Sequence, residues 1–255
     1  AMLLATLVLG VGRSTQRWLD FGVLRFQPSE LMKLAVPMMV AWYLHSRVLP
    51  PGWKSTSVIF GILLIPTLLI YRQPDLGTAL LVAASGMFTL YLAGLRWRVL
   101  FGLAGLATAA APLLWLVMKE YQRDRVRTFL NPEADPLGHG WNIIQSKIAV
   151  GSGGLTGKGW MNGTQSNLEF IPERHTDFIL AVLSEEFGLM GVALLMLTYL
   201  LVIARGLYIA SVARDTGSRL LAGALSLTLF VYVLVNGGMV SGVLPVVGVP
   251  LPLIS

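Results

Sequence analysis

FIPERHTDFILAVLSEEFGLMGVALLMLTYLLVIA, residues 170–204, begins in charge and ends in an apolar run. Glu173, Arg174, His175, Asp177, Glu185 and Glu186, with Glu169 just upstream, crowd the start of that run. The stretch 178–204 exceeds the ~20 residues with which a helix crosses a bilayer. Ionisable groups at such depth are expensive, so they are expected to face a polar cavity or a partner of opposite charge. A cap at Thr176 or Asp177 accounts for one acid at a helix start. It leaves Glu185 and Glu186, two to three turns further in, needing a cavity or a basic partner.

The rest of the chain agrees with a membrane reading. Of 255 residues 55% are apolar and 13% charged, with mean hydropathy +0.70; soluble domains carry about 25% charged residues. The expected class is an all-α polytopic membrane protein, residues 1–255 forming one transmembrane domain. The absence of cysteine excludes disulfides, thiolate nucleophiles and Cys-based metal sites. No signal-peptide pattern is present. Apolar runs place spans at roughly 30–46, 57–71, 76–94, 98–118, 178–204 and 219–237, with a half-span at 1–11 and a Pro/Gly-rich piece at 243–255. The run 57–71 is short and carries Gly61 and Pro66, which predicts a tilted or kinked helix. Both termini stop in mid-pattern, so a fragment is expected.

Charge sets the orientation. The stretches 47–56, 95–98 and 205–219 hold seven basic residues (Arg47, Lys54, Arg96, Arg98, Arg205, Arg214, Arg219) and one acid, Asp215. That excess equals the whole formal charge of +6. By the positive-inside rule these stretches are cytoplasmic. The segments 12–29, 72–75 and 119–177 then face outward, and the large 119–177 loop carries the chemistry-capable side chains.

Several motifs carry both a functional and a plainer reading. GLTGKGW, 154–160, lacks the spacing of a phosphate-binding P-loop and follows no strand signal. A glycine-rich surface turn is the default there, with Lys158 and open amides as a possible anion site. YQRDRVRTFLNP, 121–132, carries Arg123, Arg125 and Arg127 and suits an interfacial amphipathic helix or a phosphate-binding surface. QPSELMK, 27–33, sets Glu30 and Lys33 on one helix face, with Ser29 as a cap. RQPDLGT, 72–78, adds Asp75. These three charges form either a structural cluster or part of a working cavity, and a cluster requires helices 30–46 and 76–94 to be neighbours. A Ser-His-Asp site fails for want of an elbow serine, and a zinc site fails on spacing.

QRWLDFGVLRFQPSELMK, RQPDLGTALLVA, NPEADPLGHGWNIIQSKIAVGSGGLTGKGW, NGTQSNLEFIPERHTDFILAVLSEEFGLMG and NGGMVSGVLPVVGVPLPLIS together resemble the SEDS family of cell-wall polymerases, on its elongation-specific branch. The resemblance runs nearly end to end. It implies a helical bundle of about ten transmembrane helices, of which roughly seven to eight fall in this chain. It implies an inverting peptidoglycan glycosyltransferase that polymerises lipid II, with undecaprenyl pyrophosphate as leaving group. By motif the family's essential acid matches Asp177, its cavity charges match Glu30, Lys33 and Asp75, and a further basic position matches Arg25. The implied partners are a class B penicillin-binding protein and the elongation machinery, in the bacterial inner membrane with the active site on the extracytoplasmic face. No nucleic-acid partner is expected.

A pyrophosphate leaving group needs little protonation, so one general base suffices, and Asp177 is the candidate. The cations expected near the pyrophosphate are Arg72, Arg123, Arg125, Arg127, Lys147 and Lys158, along with Arg25. Arg174, His175, Glu185 and Glu186 are secondary candidates. A divalent cation, Mg or Mn, is a possible cofactor. Two other classes compete: a lipid II flippase or transporter, which favours midplane charges and repeat symmetry, and a scaffold that only anchors a penicillin-binding protein.

Overall fold

The structure is a computed structural model and describes residues 2–10, 18–20, 25–118, 120–131, 140–168, 170 and 176–255. Its helices are α1 (Met2–Leu9), α2 (Pro28–His45), α3 (Trp53–Arg72), α4 (Leu76–Leu92), α5 (Trp97–Val117), α6 (Glu120–Leu130), α7 (Trp141–Ser152), α8 (Thr164–Asn167), α9 (Ile179–Val212) and α10 (Thr216–Val240). Two short strands, β1 (Leu19–Asp20) and β2 (Arg25–Phe26), pair antiparallel ahead of α2. The chain falls into two compact units: Ala1–Leu100 with Val202–Leu229, and Phe101–Leu201 with Phe230–Ser255.

In the first unit α2, α3 and α4 share one core. Val36, Val40 and Leu44 of α2 meet Ile59, Leu63 and Ile70 of α3 and Ala79, Val82 and Leu90 of α4. Gly86 sets the spacing: a Cβ there would fall 1.8 Å from Leu63 Cδ2 and 2.9 Å from Val36 Cγ1. Small residues let membrane helices approach this closely. α2 and α4 are therefore neighbours, as a cluster at their ends requires. α3 starts ahead of its apolar run and has 20 residues, enough to span. Trp53 and Lys54 begin it, residue types suited to the bilayer interface.

The three Arg/Lys-rich stretches meet at one end of this unit. Pro51, Gly52 and Trp53 line one hollow with Leu95 and Arg96. Leu49 lines another with Thr216 and Arg219. His45 Nδ1 lies 3.8 Å from Asp215 Oδ2. Arg205 is not in a loop, as the span boundaries suggested, but inside α9, its guanidinium 5.2 Å from the Tyr208 ring centre.

In the second unit the segment 119–177 is no bare loop; it contains α6, α7 and α8. Arg123 of α6 donates to the carbonyls of Trp115 (3.0 Å) and Leu116 (2.9 Å), closing the end of α5. Ala149, Phe178, Leu180, Ala181 and Val240 form the core.

The largest departure from expectation is in α9. The sequence predicted one continuous helix over 178–204, but Gly188 has φ 63° and ψ −163° and breaks it. A break strands carbonyls on one side and amides on the other, and in a bilayer other protein groups must satisfy them. The 154–159 loop does so. The amides of Lys158 and Gly159 donate to the carbonyls of Glu185 (3.0 Å) and Glu186 (2.9 Å). The amides of Leu189 and Met190 donate to the carbonyls of Gly154 (2.9 Å) and Leu155 (3.0 Å). The loop splints the break.

The glycines of this motif follow from that contact. A Cβ on Gly153 would sit 1.9 Å from the Ser184 carbonyl oxygen, and one on Gly157 2.1 Å from that of Glu186. The glycine-rich turn expected at GLTGKGW is present, but it also packs on the α9 break, and the amides of Lys158 and Gly159 are already engaged.

Among the described residues three helices are long and apolar enough to cross a membrane: Trp53–Arg72, Ile179–Val212 and Thr216–Val240; Leu76–Leu92 is apolar but shorter. Leu189, Met190, Leu194, Leu200 and Leu201 of α9 stand exposed. Lipid favours that exposure and water opposes it.

Candidate active site

Each unit carries a polar cluster. In the first, Lys33 Nζ lies 2.6 Å from Glu30 Oε1. Gln27 Nε2 donates to Ser29 Oγ (2.9 Å) and to Asp75 Oδ2 (3.3 Å). Asp75 caps α4, its Oδ1 accepting from the Thr78 amide at 3.2 Å. Lys33 and Asp75 are both buried, whereas Glu30 is exposed. Ser29 does not cap α2: Gln27 holds the cap position and Pro28 is the first helical residue, where its missing N–H costs nothing. Arg72, the last residue of α3, is exposed. Arg25 lies in β2, and its side chain is outside the described residues.

In the second unit Asp177 is half-buried, two residues ahead of α9. Its backbone carbonyl accepts from Asn236 Nδ2 at 2.9 Å, and the same amide donates to the Val249 carbonyl at 2.8 Å. The Asp177 carboxylate lies against Gly248, where a Cβ would fall 3.4 Å from Oδ2. Gly248 has φ 74°, a conformation that glycine adopts without strain. The end of α10 and the segment after it are each pinned at a further point. Ser146 Oγ donates to the Val240 carbonyl at 3.0 Å, and the Tyr199 hydroxyl donates to the Pro252 carbonyl. Lys147 of α7 runs over Gly242 of the same segment, its Cε 2.2 Å from where a Cβ would stand.

Glu185 has no exposed surface. It accepts from Lys158 Nζ (2.6 Å), from the Thr164 amide and hydroxyl (both 2.8 Å) and from the Gln165 amide (3.1 Å). Lys158 is the basic partner that this acid needed, and that bond takes it away from a phosphate. Glu186, 8% exposed, packs near Gly163. Arg127 pairs with Asp124 at 3.2 Å and with Glu120 at 3.6 Å. Arg123 is held by the α5 carbonyls and by Glu120 at 3.4 Å. Among the described residues Lys147 and Arg72 are the candidate cations outside such ion pairs. Arg174, His175, Glu169 and Glu173 lie outside the described residues, as does the side chain of Arg125.

Sequence reasoning missed Gln27, Asn236 and Gly248. A polar residue interrupting the apolar run of α10 was the available signal for Asn236, since such residues in membrane helices need a partner.

A helical fold with membrane-capable spans and an acid at a helix start defines the class, and comparison with known proteins defines the family. The chain belongs to the FtsW/RodA/SpoVE family, whose profile, described as "Cell cycle protein", matches residues 1–255. It is 58% identical over 246 residues to the peptidoglycan glycosyltransferase MrdB of Escherichia coli strain K12, covering 96% of this chain and 66% of that relative. It is 38% identical over 260 residues to the probable peptidoglycan glycosyltransferase FtsW of Geobacter metallireducens, covering 100% of this chain and 68% of that one. Two solved structures share the fold. A chain solved in work on structural coordination of polymerization and crosslinking by a peptidoglycan synthase complex gives a TM-score of 0.82 at 36% identity, covering 100% of this chain and 71% of its own. The rod shape determining protein RodA of Thermus thermophilus gives 0.67 at 29% identity, covering 100% and 67%. The chain thus spans 66% of the length of MrdB.

Proposed function

We propose that this chain is the main part of a peptidoglycan glycosyltransferase that polymerises lipid II on the outer face of the bacterial inner membrane. The observation that carries the reading is the Asp177 carboxylate, half-buried at the start of α9 and walled by Gly248.

Asp177 takes the proton from the 4-hydroxyl of one lipid II. The freed oxygen attacks the anomeric carbon of the growing strand, the bond from that carbon to the phosphate oxygen breaks, and undecaprenyl pyrophosphate leaves. A single displacement inverts the anomeric centre. A positioned base contributes about 10²–10⁴-fold to such a step. Lys147, which reaches along the segment that walls Asp177, is the cation best placed to face the pyrophosphate. Arg72 is a second candidate. A divalent cation shared with the substrate's phosphate oxygens is a possible cofactor, and no step is assigned to it. The Glu30–Lys33 and Gln27–Asp75 contacts support a cavity wall rather than proton transfer.

A flippase would use the carbonyls freed at a helix break to bind its cargo or a coupling ion. At Gly188 the carbonyls of Glu185 and Glu186 are taken by loop amides, which favours the polymerase. A transpeptidase of the class B penicillin-binding type is the proposed partner.

The test is glycan-strand formation from lipid II by the full-length protein with that partner, wild type against Asp177→Asn. Loss of polymer in a folded, partner-binding variant is expected, by at least about 100-fold. Polymerisation at the wild-type rate would remove Asp177 as the base. If wild type makes no polymer but moves lipid II across vesicles, the flippase reading replaces this one.

A further inference from the structure

We infer that Asn236 is a positioning residue for Asp177, fixing the acid against the 244–252 segment; the inference rests on the reading of Asp177 as the base.

Asn236 sits in α10 with no exposed surface. A buried amide in an apolar helix is unfavourable unless its hydrogens find acceptors. Both Nδ2 hydrogens do, on main-chain carbonyls of residues outside the helices. The Ala181 amide bonds Phe178 at 3.0 Å, which leaves the Asp177 carbonyl outside the ladder of α9. Val249 lies in an irregular stretch followed by Pro250. Asn236 donates to both carbonyls, at 2.9 and 2.8 Å.

The orientation of the amide is set by its neighbours. Both facing groups are carbonyls, so the nitrogen must point at them, and a flipped amide would set oxygen against oxygen. Among the described residues Oδ1 finds no donor. The side chain thus spends its donors on these two carbonyls and gains nothing from its acceptor. Of the two residues it ties together, one is the acid itself and the other adjoins Gly248, which faces the carboxylate. A separate anchor at Pro252 holds the far end of the segment, and Asn236 holds the stretch opposite Asp177.

Full-length protein with its transpeptidase partner would be assayed on lipid II with Asn236→Ala, Asn236→Asp and Asp177→Asn in parallel, each checked by thermal melting. Asn236→Asp keeps the volume while setting an acceptor against two acceptors, so it decides the matter if the alanine variant does not fold. We expect kcat to fall at least about 10-fold, with KM for lipid II changing less than about 3-fold, because misplacing a reacting group penalises the transition state more than binding. Wild-type kcat in either folded variant would overturn the inference. So would a lowered melting temperature as the sole effect, or a loss confined to KM. If Asp177→Asn polymerises normally, the base assignment fails and this inference falls with it. If Asp177→Asn is inactive while Asn236 variants keep wild-type kcat, the inference alone fails.

Discussion

Lys158 and Glu185 meet at 2.6 Å as a hydrogen-bonded ion pair in which the acid has no exposed surface. Removing one member of such a pair strands the other charge. Lys158→Ala should therefore destabilise by about 3 kcal/mol, the low end of the buried-pair range because the lysine is partly exposed. Adding Glu185→Gln should recover part of that loss. Thermal melting in detergent checks both, and an unchanged Lys158→Ala melt would show the pair to be inert.

Gly188 combines positive φ with extended ψ, a region that only glycine populates freely. A Cβ there would also lie 2.3 Å from the Gly157 nitrogen. Gly188→Ala should cost at least about 2 kcal/mol and open the 154–159 loop to protease. Gly61 in α3 has nothing within 4 Å of its Cβ position, so Gly61→Ala should be neutral or stabilise by up to about 1 kcal/mol. Equal melting temperatures for the two variants would contradict the splint.

Asp75 separates capping from charge. Asp75→Ala removes the acceptor for the Thr78 amide and should cost about 1 kcal/mol. Asp75→Asn keeps a cap oxygen and should melt near wild type. If the asparagine variant still polymerises lipid II normally, the carboxylate is structural. A melted-as-wild-type but inactive variant assigns its charge to the working cavity.

Asp215 gives a pH signature at the opposite end of the first unit. The Ser218 amide, 2.7 Å away, holds its carboxyl below the usual carboxylate range, with a smaller contribution from His45. A lowered folded value means that its stabilisation is present above the unfolded value near 4 and fades as pH falls through the folded value. Asp215→Asn keeps the cap oxygen but cannot titrate. The melting difference between the two proteins should be present at neutral pH and shrink below about pH 4. A difference constant across that range would refute the linkage.

Spans were legible because hydropathy acts over many residues at once. The neighbour relation of α2 and α4 also followed, from charges at Glu30, Lys33 and Asp75 that needed a common place. The break at Gly188 was hidden: its flanks, SEEF and LMGV, continue the helical pattern, and what permits the break lies some thirty residues upstream in GSGGLTGKG. Local propensity cannot register backbone groups satisfied from a distance. Asn236 was hidden for the same reason, since both its acceptors are main-chain atoms that carry no side-chain signature.

The splint at Gly188 also has a mechanical side. The roughly two and a half turns of helix that follow Asp177 are joined to the long apolar half by a single pliant glycine, and each half is clasped to the 154–159 loop by two main-chain bonds. Tension applied to that loop is therefore delivered to both halves of α9 at once, two bonds to each. A probe attached within 154–159 would report a change in the angle between the two halves, which a probe on either half alone would miss.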